Sequence, residues 1–227
     1  MDSPQSTEWR DISAWRRTQR DRCITWRTGI ADVQRDRWGS RITASLLDLL
    51  REPAKRIIGF CWPYRGEFDA RPAVRGWCDA GATAALPEVV GKDLPLRFRQ
   101  WWTEAPMRSG AYDIAVPDGT PEVIPEILLL PMNAFDERGY RLGYGGGYFD
   151  RTLATLAPRV VTIGIGYEHC RLPTIYPQAH DRATDFVVTE SGVYATDAGA
   201  LAALQPGVAD ALMRQVLASR SAVAGNL

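Results

Sequence analysis

Apolar residues step by three or four along Ile12, Trp15, Cys23, Trp26 and Ile30, with the polar Gln19 in the same stripe. That spacing predicts one long helix, opened by Thr7 with the acidic Glu8 near its positive end. Its other faces carry Arg10, Arg16, Arg17, Arg20, Arg22 and Arg27. A second helix is expected over 40–50, with Ile42, Leu46, Leu49 and Leu50 inward. Beyond Lys55 the texture changes. The run 56–62 is continuously apolar after its first residue, stops at Pro63, and reads as a buried strand. Residues 72–81 fit a short helix with Pro72 in its first turn and Gly81 past its end. Further strands are expected at 83–90, 94–101, 127–130, 160–165 and 185–189, a helix opening near Gly147, and helices at 198–204 and 208–218. Strands alternating with helices predict an α/β protein: a three-layer α/β/α arrangement around a mostly parallel, Rossmann-like sheet, with the Arg-rich N-terminal helices packed on it. There is no internal repeat or Ser/Gly-rich linker, so 1–227 is expected to be one domain. Within it, 6–51 form the N-terminal helices, 56–194 the catalytic core and 195–227 a C-terminal helical extension.

Composition narrows the function. Of 227 residues, 27 are basic and 27 acidic, so the net charge is zero. That argues against a dedicated nucleic-acid or membrane-surface binder. Cys23, Cys61, Cys78 and Cys170 show no metal-ligand or redox spacing, and His169 and His180 are too few for a multi-histidine metal centre. The polar start and the absence of a long uncharged apolar stretch fit neither a secretory signal nor a membrane span, so a cytoplasmic location is expected. Only Lys55 and Lys92 are lysine, so 25 of the 27 basic residues are arginine. Any phosphate site here leans on guanidinium groups, which grip two oxygens at once.

The most informative stretch follows the expected strand at 127–130. In Arg141-Leu142-Gly143-Tyr144-Gly145-Gly146-Gly147-Tyr148-Phe149-Asp150-Arg151, four glycines fall within five residues, just before a helix. Glycines permit positive φ and let a ligand approach backbone N–H groups; at a helix N-terminus they make an anion cradle. Gly146, in the middle, is where positive φ or the closest approach is expected. The spacing matches neither a Walker A loop nor a dinucleotide fingerprint. Asp150 falls on the first turn of the helix, near bound phosphates, where an Mg²⁺ ligand is useful. A plain glycine-rich turn with a helix-start acid is the bland alternative.

These residues, preceded by Ala134-Phe135-Asp136 and Gly139, resemble the signature of the 5-formyltetrahydrofolate cyclo-ligase family, also called 5,10-methenyltetrahydrofolate synthetases. The ungapped order of glycines, aromatics and charges makes the match specific. Trp62-Pro63-Tyr64-Arg65-Gly66-Glu67-Phe68-Asp69 is similar to the family's folate-binding segment. His180-Asp181, with Asp185 and Val187-Val188-Thr189-Glu190, is similar to its later metal-proximal segment. The resemblance runs from about 57 to 194. It implies an α/β/α fold and ATP- and Mg²⁺-dependent closure of 5-formyltetrahydrofolate to 5,10-methenyltetrahydrofolate, with ADP and phosphate released. The implied partners are those two small molecules, with no nucleic acid and no membrane, and a monomer is expected.

The resemblance distributes roles. ATP falls to Arg16, Arg20, Arg141, Leu142, Gly143, Tyr144, Gly145, Gly146, Gly147, Tyr148 and Phe149. Folate falls to Trp62, Glu67 and the loop residues Tyr144, Gly145, Gly146, Gly147 and Tyr148. Arg141 and Tyr148 act on the reacting groups, and Asp150 and Asp181 hold Mg²⁺. Trp62 and Trp101 serve equally well as core, and Glu67 alone reads as a loop acid. The family places a Lys, then an Arg four residues on, on its first helix. Aligned through Trp15 and Arg16, the Lys position falls on Ile12, leaving Arg20 or Arg17 to substitute or the register to differ. Two other readings follow: a folate- or nucleotide-binding paralogue with lost or altered turnover, motivated by Ile12, and an RNA- or acidic-partner arm, motivated by the arginines between 10 and 41.

Overall fold

The computed structural model describes residues 4–205 and 207–224, with side chains described for 10–205 and 207–222. In chain order it contains α1 (Pro4–Thr28), α2 (Asp32–Leu49), β1 (Ile57–Gly59), α3 (Arg71–Asp79), β2 (Thr83–Glu88) and β3 (Arg97–Trp101). A small hairpin follows, β4 (Met107–Ser109) and β5 (Ala115–Pro117), then β6 (Ile127–Pro131), β7 (Ala134–Asp136), β8 (Arg141–Leu142), α4 (Tyr148–Leu156) and β9 (Val161–Ile165). The chain continues through β10 (Arg171–Leu172), β11 (Phe186–Thr189), β12 (Gly192–Asp197), β13 (Ala200–Ala203) and α5 (Ala209–Ala224).

Eight strands form one sheet in the order β13-β12-β11-β9-β6-β1-β2-β3. The five from β11 to β2 are parallel, while β12 and β13 at one edge and β3 at the other are antiparallel. Side chains alternate across a strand, so each central strand feeds two cores. Ile127 and Leu129 join Ile42 and Leu46 of α2, Trp77 of α3, and Met213 and Leu217 of α5. Leu128 and Leu130 face the other way, onto Leu153 of α4 and Phe98. Helices on both faces of a largely parallel sheet give the expected α/β/α layering. A second sheet, β10-β7-β8, lies over part of the α4 face and packs Phe135 against Met132 and Val187. Its outer side takes α1, through Cys23 against Ala134, Leu142, Cys170, Leu172 and Ile175.

Several expectations need correction. Thr7 and Glu8 fall inside α1, which begins at Pro4, and their side chains lie outside the described residues. Arg16 and Arg27, placed on the solvent faces of that helix, are 6% and 2% exposed and lie on its buried side. Helix α2 starts eight residues before the predicted position 40; Val33 and Trp38 are the only large apolar residues of its first two turns, too few to give a periodic signal. Residues 198–204 are not helical. Ala198 and Gly199 both adopt positive φ and turn the chain, and β13 then pairs with β12 through Tyr194↔Ala203 and Asp197↔Ala200. The Ala/Leu composition favours a helix, but sheet pairing across that turn overrides it. Among the described residues, no helix is long and apolar enough to cross a membrane.

Gly59 ends β1 where the sheet turns toward the site. A Cβ there would lie 2.5 Å from Leu128 Cδ2, 3.0 Å from Phe98 Cε1 and 3.1 Å from Pro125 Cγ. Gly59→Ala is therefore expected to overpack this core and lower stability by about 1–3 kcal/mol. Urea denaturation checks this; an unchanged midpoint would show that the core relaxes freely.

Candidate active site

The carboxyl ends of β6 and β9 and the segment after β1 surround a small open recess. Its wall includes Arg27, Cys61, Glu67, Phe68, Met132 and Tyr167. Ligands of open α/β sheets bind at such strand ends. Glu67 reaches the recess from a tight turn closed by its own amide donating to the Tyr64 carbonyl at 3.1 Å, with Arg65 and Gly66 at positive φ. Its side chain is 5% exposed. Oε2 accepts the Tyr64 amide at 3.1 Å, and Oε1 accepts the Tyr144 hydroxyl at 2.9 Å, with Arg27 Nη2 at 3.5 Å. Burial pushes the Glu67 carboxyl up, and Arg27, the Tyr144 hydroxyl and the Tyr64 amide pull it part of the way back. Burial, then the Glu67 charge, also push the Cys61 thiol and the Tyr144 phenol up.

The glycine loop lies between β8 and α4. It does not follow the buried strand β6 directly, because the short strands β7 and β8 intervene. No side chain caps α4, whose N-cap is Gly147 in the left-handed region. The amides of Tyr144, Gly145, Gly146 and Gly147 donate to no acceptor among the described residues. Positive φ falls on Gly145 (+93°) and Gly147 (+67°), and Gly146 is not in that region. The expectation for Gly146 is thus corrected: the strained positions are its neighbours, and what Gly146 relieves is crowding by the Tyr148 ring, 3.0 Å from where a Cβ would stand.

Around this loop the arginines converge. Arg20 Nε donates to the Gly143 carbonyl at 2.6 Å, and its guanidinium lies 3.6 Å from where a Gly145 Cβ would be. Arg16 donates to the carbonyls of Ile175 and Tyr176, both at 2.9 Å, and to Asp181 Oδ2 at 2.5 Å. Arg141 Nη2 donates to Asp150 Oδ1 at 2.6 Å and Nη1 to the Arg182 carbonyl at 3.2 Å, joining the 181–182 segment to the start of α4. Arg16 and Arg20 are four apart on one face, the spacing expected of the basic pair. Ile12 is half-buried and Arg17 points to solvent.

The carboxylates suit a phosphate-borne Mg²⁺ better than a protein cage. Among the described residues, no group of three or more metal-ligating side chains comes together. Asp150 has only its Oδ1 on Arg141, and its side chain is 26% exposed. Asp181 is 9% exposed and its Oδ2 takes both Arg16 and the Gln178 amide, with exposed His180 at 3.8 Å from Oδ1. Mg²⁺ commonly takes one or two carboxylates, with waters and substrate phosphates completing its shell.

Other expected residues divide. Tyr148 opens α4, with its hydroxyl 3.5 Å from that of Tyr112 at the tip of the β4–β5 hairpin. Trp62 is half-buried, with the Arg71 guanidinium 4.5 Å over its ring. Leu142 is buried under α1, so only its backbone is available to a ligand, and Phe149 packs into the α4 core. Trp101 is core. Sequence reasoning missed Arg27 and Tyr167. Arg27 follows Arg16 and Arg20 on one helical face, seven residues after Arg20, and that periodicity was the available signal.

Fold and site together define an α/β protein with a glycine loop of open amides and a recess side by side at the strand ends. The model of the 5-formyltetrahydrofolate cyclo-ligase family matches residues 12–190. A 5-formyltetrahydrofolate cyclo-ligase of Haemophilus influenzae is 25% identical over 162 residues, covering 68% of this chain and 86% of its own. That of Escherichia coli K12 is 32% identical over 139 residues, covering 58% and 76%. Among solved structures, the 5,10-methenyltetrahydrofolate synthetase of Aquifex aeolicus superposes with a TM-score of 0.69 at 26% identity, covering 84% of this chain and 96% of its own. That of Mycoplasma pneumoniae has the same fold, with a TM-score of 0.64 at 19% identity, covering 77% and 98%. The chain belongs to the 5-formyltetrahydrofolate cyclo-ligase family of enzymes.

Gly147→Ala and Gly145→Ala are expected to destabilise the ligand-free protein by about 1 kcal/mol each, the usual left-handed penalty. Gly143→Ala, with nothing within 4 Å of its Cβ position and no positive φ, should be near neutral. Thermal unfolding of the three variants checks the order; a Gly143 variant as unstable as the others would contradict it.

Proposed function

We propose that the protein closes 5-formyltetrahydrofolate to 5,10-methenyltetrahydrofolate, consuming ATP and releasing ADP and phosphate. The observation that carries this is the glycine loop at the start of α4, its amides open, tied through Tyr144 to a buried carboxylate in the adjoining recess. The formyl group is amide-like and a poor electrophile. Transfer of the γ-phosphoryl group of ATP to the formyl oxygen makes that oxygen a leaving group. Folate N10 then attacks the formyl carbon and gives up its proton to solvent, and the C–O bond breaks to release phosphate and leave the cationic methenyl bridge. The nucleophile belongs to the substrate, so the enzyme's work is positioning and charge neutralisation.

The loop amides and the α4 N-terminus would hold phosphate oxygens. Arg20 lies beside that loop, and Arg141, already against Asp150, would meet the transferring group. Mg²⁺, when bound, neutralises phosphate charge; Asp150, and Asp181 directly or through water, would hold it. Glu67, ionised, would accept N–H groups of the pterin, and Trp62, in the same segment after β1, would flank it. Tyr148 would close over the loop. Arg16 and Arg20, four residues apart beside the loop, weigh against the paralogue reading that Ile12 motivates. Against the RNA-arm reading, Arg16, Arg20 and Arg27 turn inward and only part of the basic set, including Arg17, Arg22, Arg37 and Arg41, faces solvent.

Purified protein with Mg-ATP and 5-formyltetrahydrofolate should develop the near-ultraviolet absorbance of the methenyl product. No change in absorbance, with both ligands binding by titration calorimetry, would refute turnover. Glu67→Gln is expected to raise the folate KM about tenfold or more, the worth of a buried hydrogen bond to a charged group, and to change the ATP KM little. Asp150→Asn should cripple turnover at limiting Mg²⁺ with the fold intact by circular dichroism. Full activity in that variant would remove Asp150 from the metal site.

A further inference from the structure

We propose that Arg27 is a positioning residue for substrate recognition: it holds Glu67 ionised and aimed into the recess, and it joins that carboxylate to the glycine loop through Tyr144. The proposal rests on reading the recess as the pterin site. Arg27 is 2% exposed, a charge almost wholly removed from water. Its Nε donates to the Arg65 carbonyl at 2.8 Å, fixing the turn that delivers Glu67. Its Nη2 lies 3.5 Å from the Tyr64 carbonyl and 3.5 Å from Glu67 Oε1, and donates in a short hydrogen bond to the Tyr144 hydroxyl. The same hydroxyl donates to Glu67 Oε1. One guanidinium on α1 therefore holds the folate turn, the folate carboxylate and the loop that would cradle phosphate.

A carboxyl this buried tends toward its neutral form, and a proton on it would turn one acceptor oxygen into a donor facing the pterin N–H groups. Arg27 is the positive charge set against that tendency. The other polar and titratable groups around Glu67 do not substitute for it. Tyr144 of the glycine loop, Tyr167 after β9 and Cys61 after β1 are neutral, and the Tyr64 amide is a single donor from the turn itself. Arg35, the next basic group near Tyr167, donates to the Ile30 carbonyl in the connection between α1 and α2. An element that merely pinned α1 to the core would not need its charge at this carboxylate.

The test is binding of 5-methyltetrahydrofolate, which has the same pterin and cannot cyclise, measured from neutral to mildly acidic pH in the parent, Arg27→Gln and Glu67→Gln proteins. The parent should lose affinity as pH falls and Glu67 takes up a proton, and Glu67→Gln should bind weakly with no such limb. In Arg27→Gln the limb should move to higher pH by about one unit or more, the ordinary effect of losing an adjacent opposite charge. Affinity for a non-hydrolysable Mg-ATP analogue should change less than affinity for folate. A limb unmoved in Arg27→Gln but abolished in Glu67→Gln overturns the proposal and leaves the pterin reading standing. If Glu67→Gln keeps the parent's affinity and limb, the pterin reading fails and the proposal with it. If Arg27→Gln does not fold, Arg27→Lys decides: it keeps the charge and loses the fork, so it should keep the limb and weaken folate binding more than nucleotide binding. Equal weakening of both there overturns the proposal.

Discussion

A guanidinium group buried at the end of α1 meets a carboxylate buried in the turn after β1, and the surrounding loops are arranged around that meeting. Neither charge has much water: the two side chains are 2% and 5% exposed. Removing one partner of such a pair commonly costs about 3–5 kcal/mol, because the other is left uncompensated. The pair is satisfied only while α1, the 64–67 turn and Tyr144 keep their relative positions. That requirement extends along the helix. Arg16 holds the 175–181 segment and Arg20 holds the glycine loop, both through carbonyl oxygens that have no place in a ladder. Helix α1 has a small apolar seam, centred on Cys23, and a long polar one. Its arginines act as struts that set the shape of the loops above the strand ends.

This explains which parts were legible in the sequence. Central strands announce themselves as apolar runs because both faces are covered, and 127–130 and 160–165 fall within a residue of β6 and β9. The glycine cluster announces the loop before α4. Strands of two or three residues, such as β7 and β8, are too short for any period to show. The 198–204 segment carries helix-favouring residues and becomes a strand only because a partner and a turn are supplied by the rest of the chain. The arginines of α1 failed the reading most instructively. A charged helix position looks solvated until tertiary structure brings carbonyls and a carboxylate to it, and the only local signal is the recurrence of Arg16, Arg20 and Arg27 on one helical face. The placement of positive φ on Gly145 and Gly147 rather than Gly146 is likewise fixed by how the loop meets α4.

Beyond residue 190, where the family match ends, the chain adds β12, β13 and α5. The two strands extend the sheet past β11, and α5 lays Met213 and Leu217 into the core beside α2. Asp210 accepts the Arg51 amide at 3.2 Å just past the end of α2, and Arg220 pairs with Asp185 at 2.6 Å. Asp185 also accepts the Thr162 amide and hydroxyl on β9, both at 2.8 Å. Helix α5 thus braces the sheet from the side opposite α4, while Tyr194 of β12 and Leu201 of β13 pack against Met132 and Phe135 on the other face.

On the proposed function, the loop between β8 and α4 receives phosphate through its backbone while α1 holds it in place. Amide hydrogen exchange, followed with and without a non-hydrolysable Mg-ATP analogue, reads both parts at once. The account predicts slowed exchange at residues 144–148 and along the α1 segment that carries Arg16 and Arg20. Protection confined to other parts of the chain, with residues 144–148 exchanging as before, would contradict it.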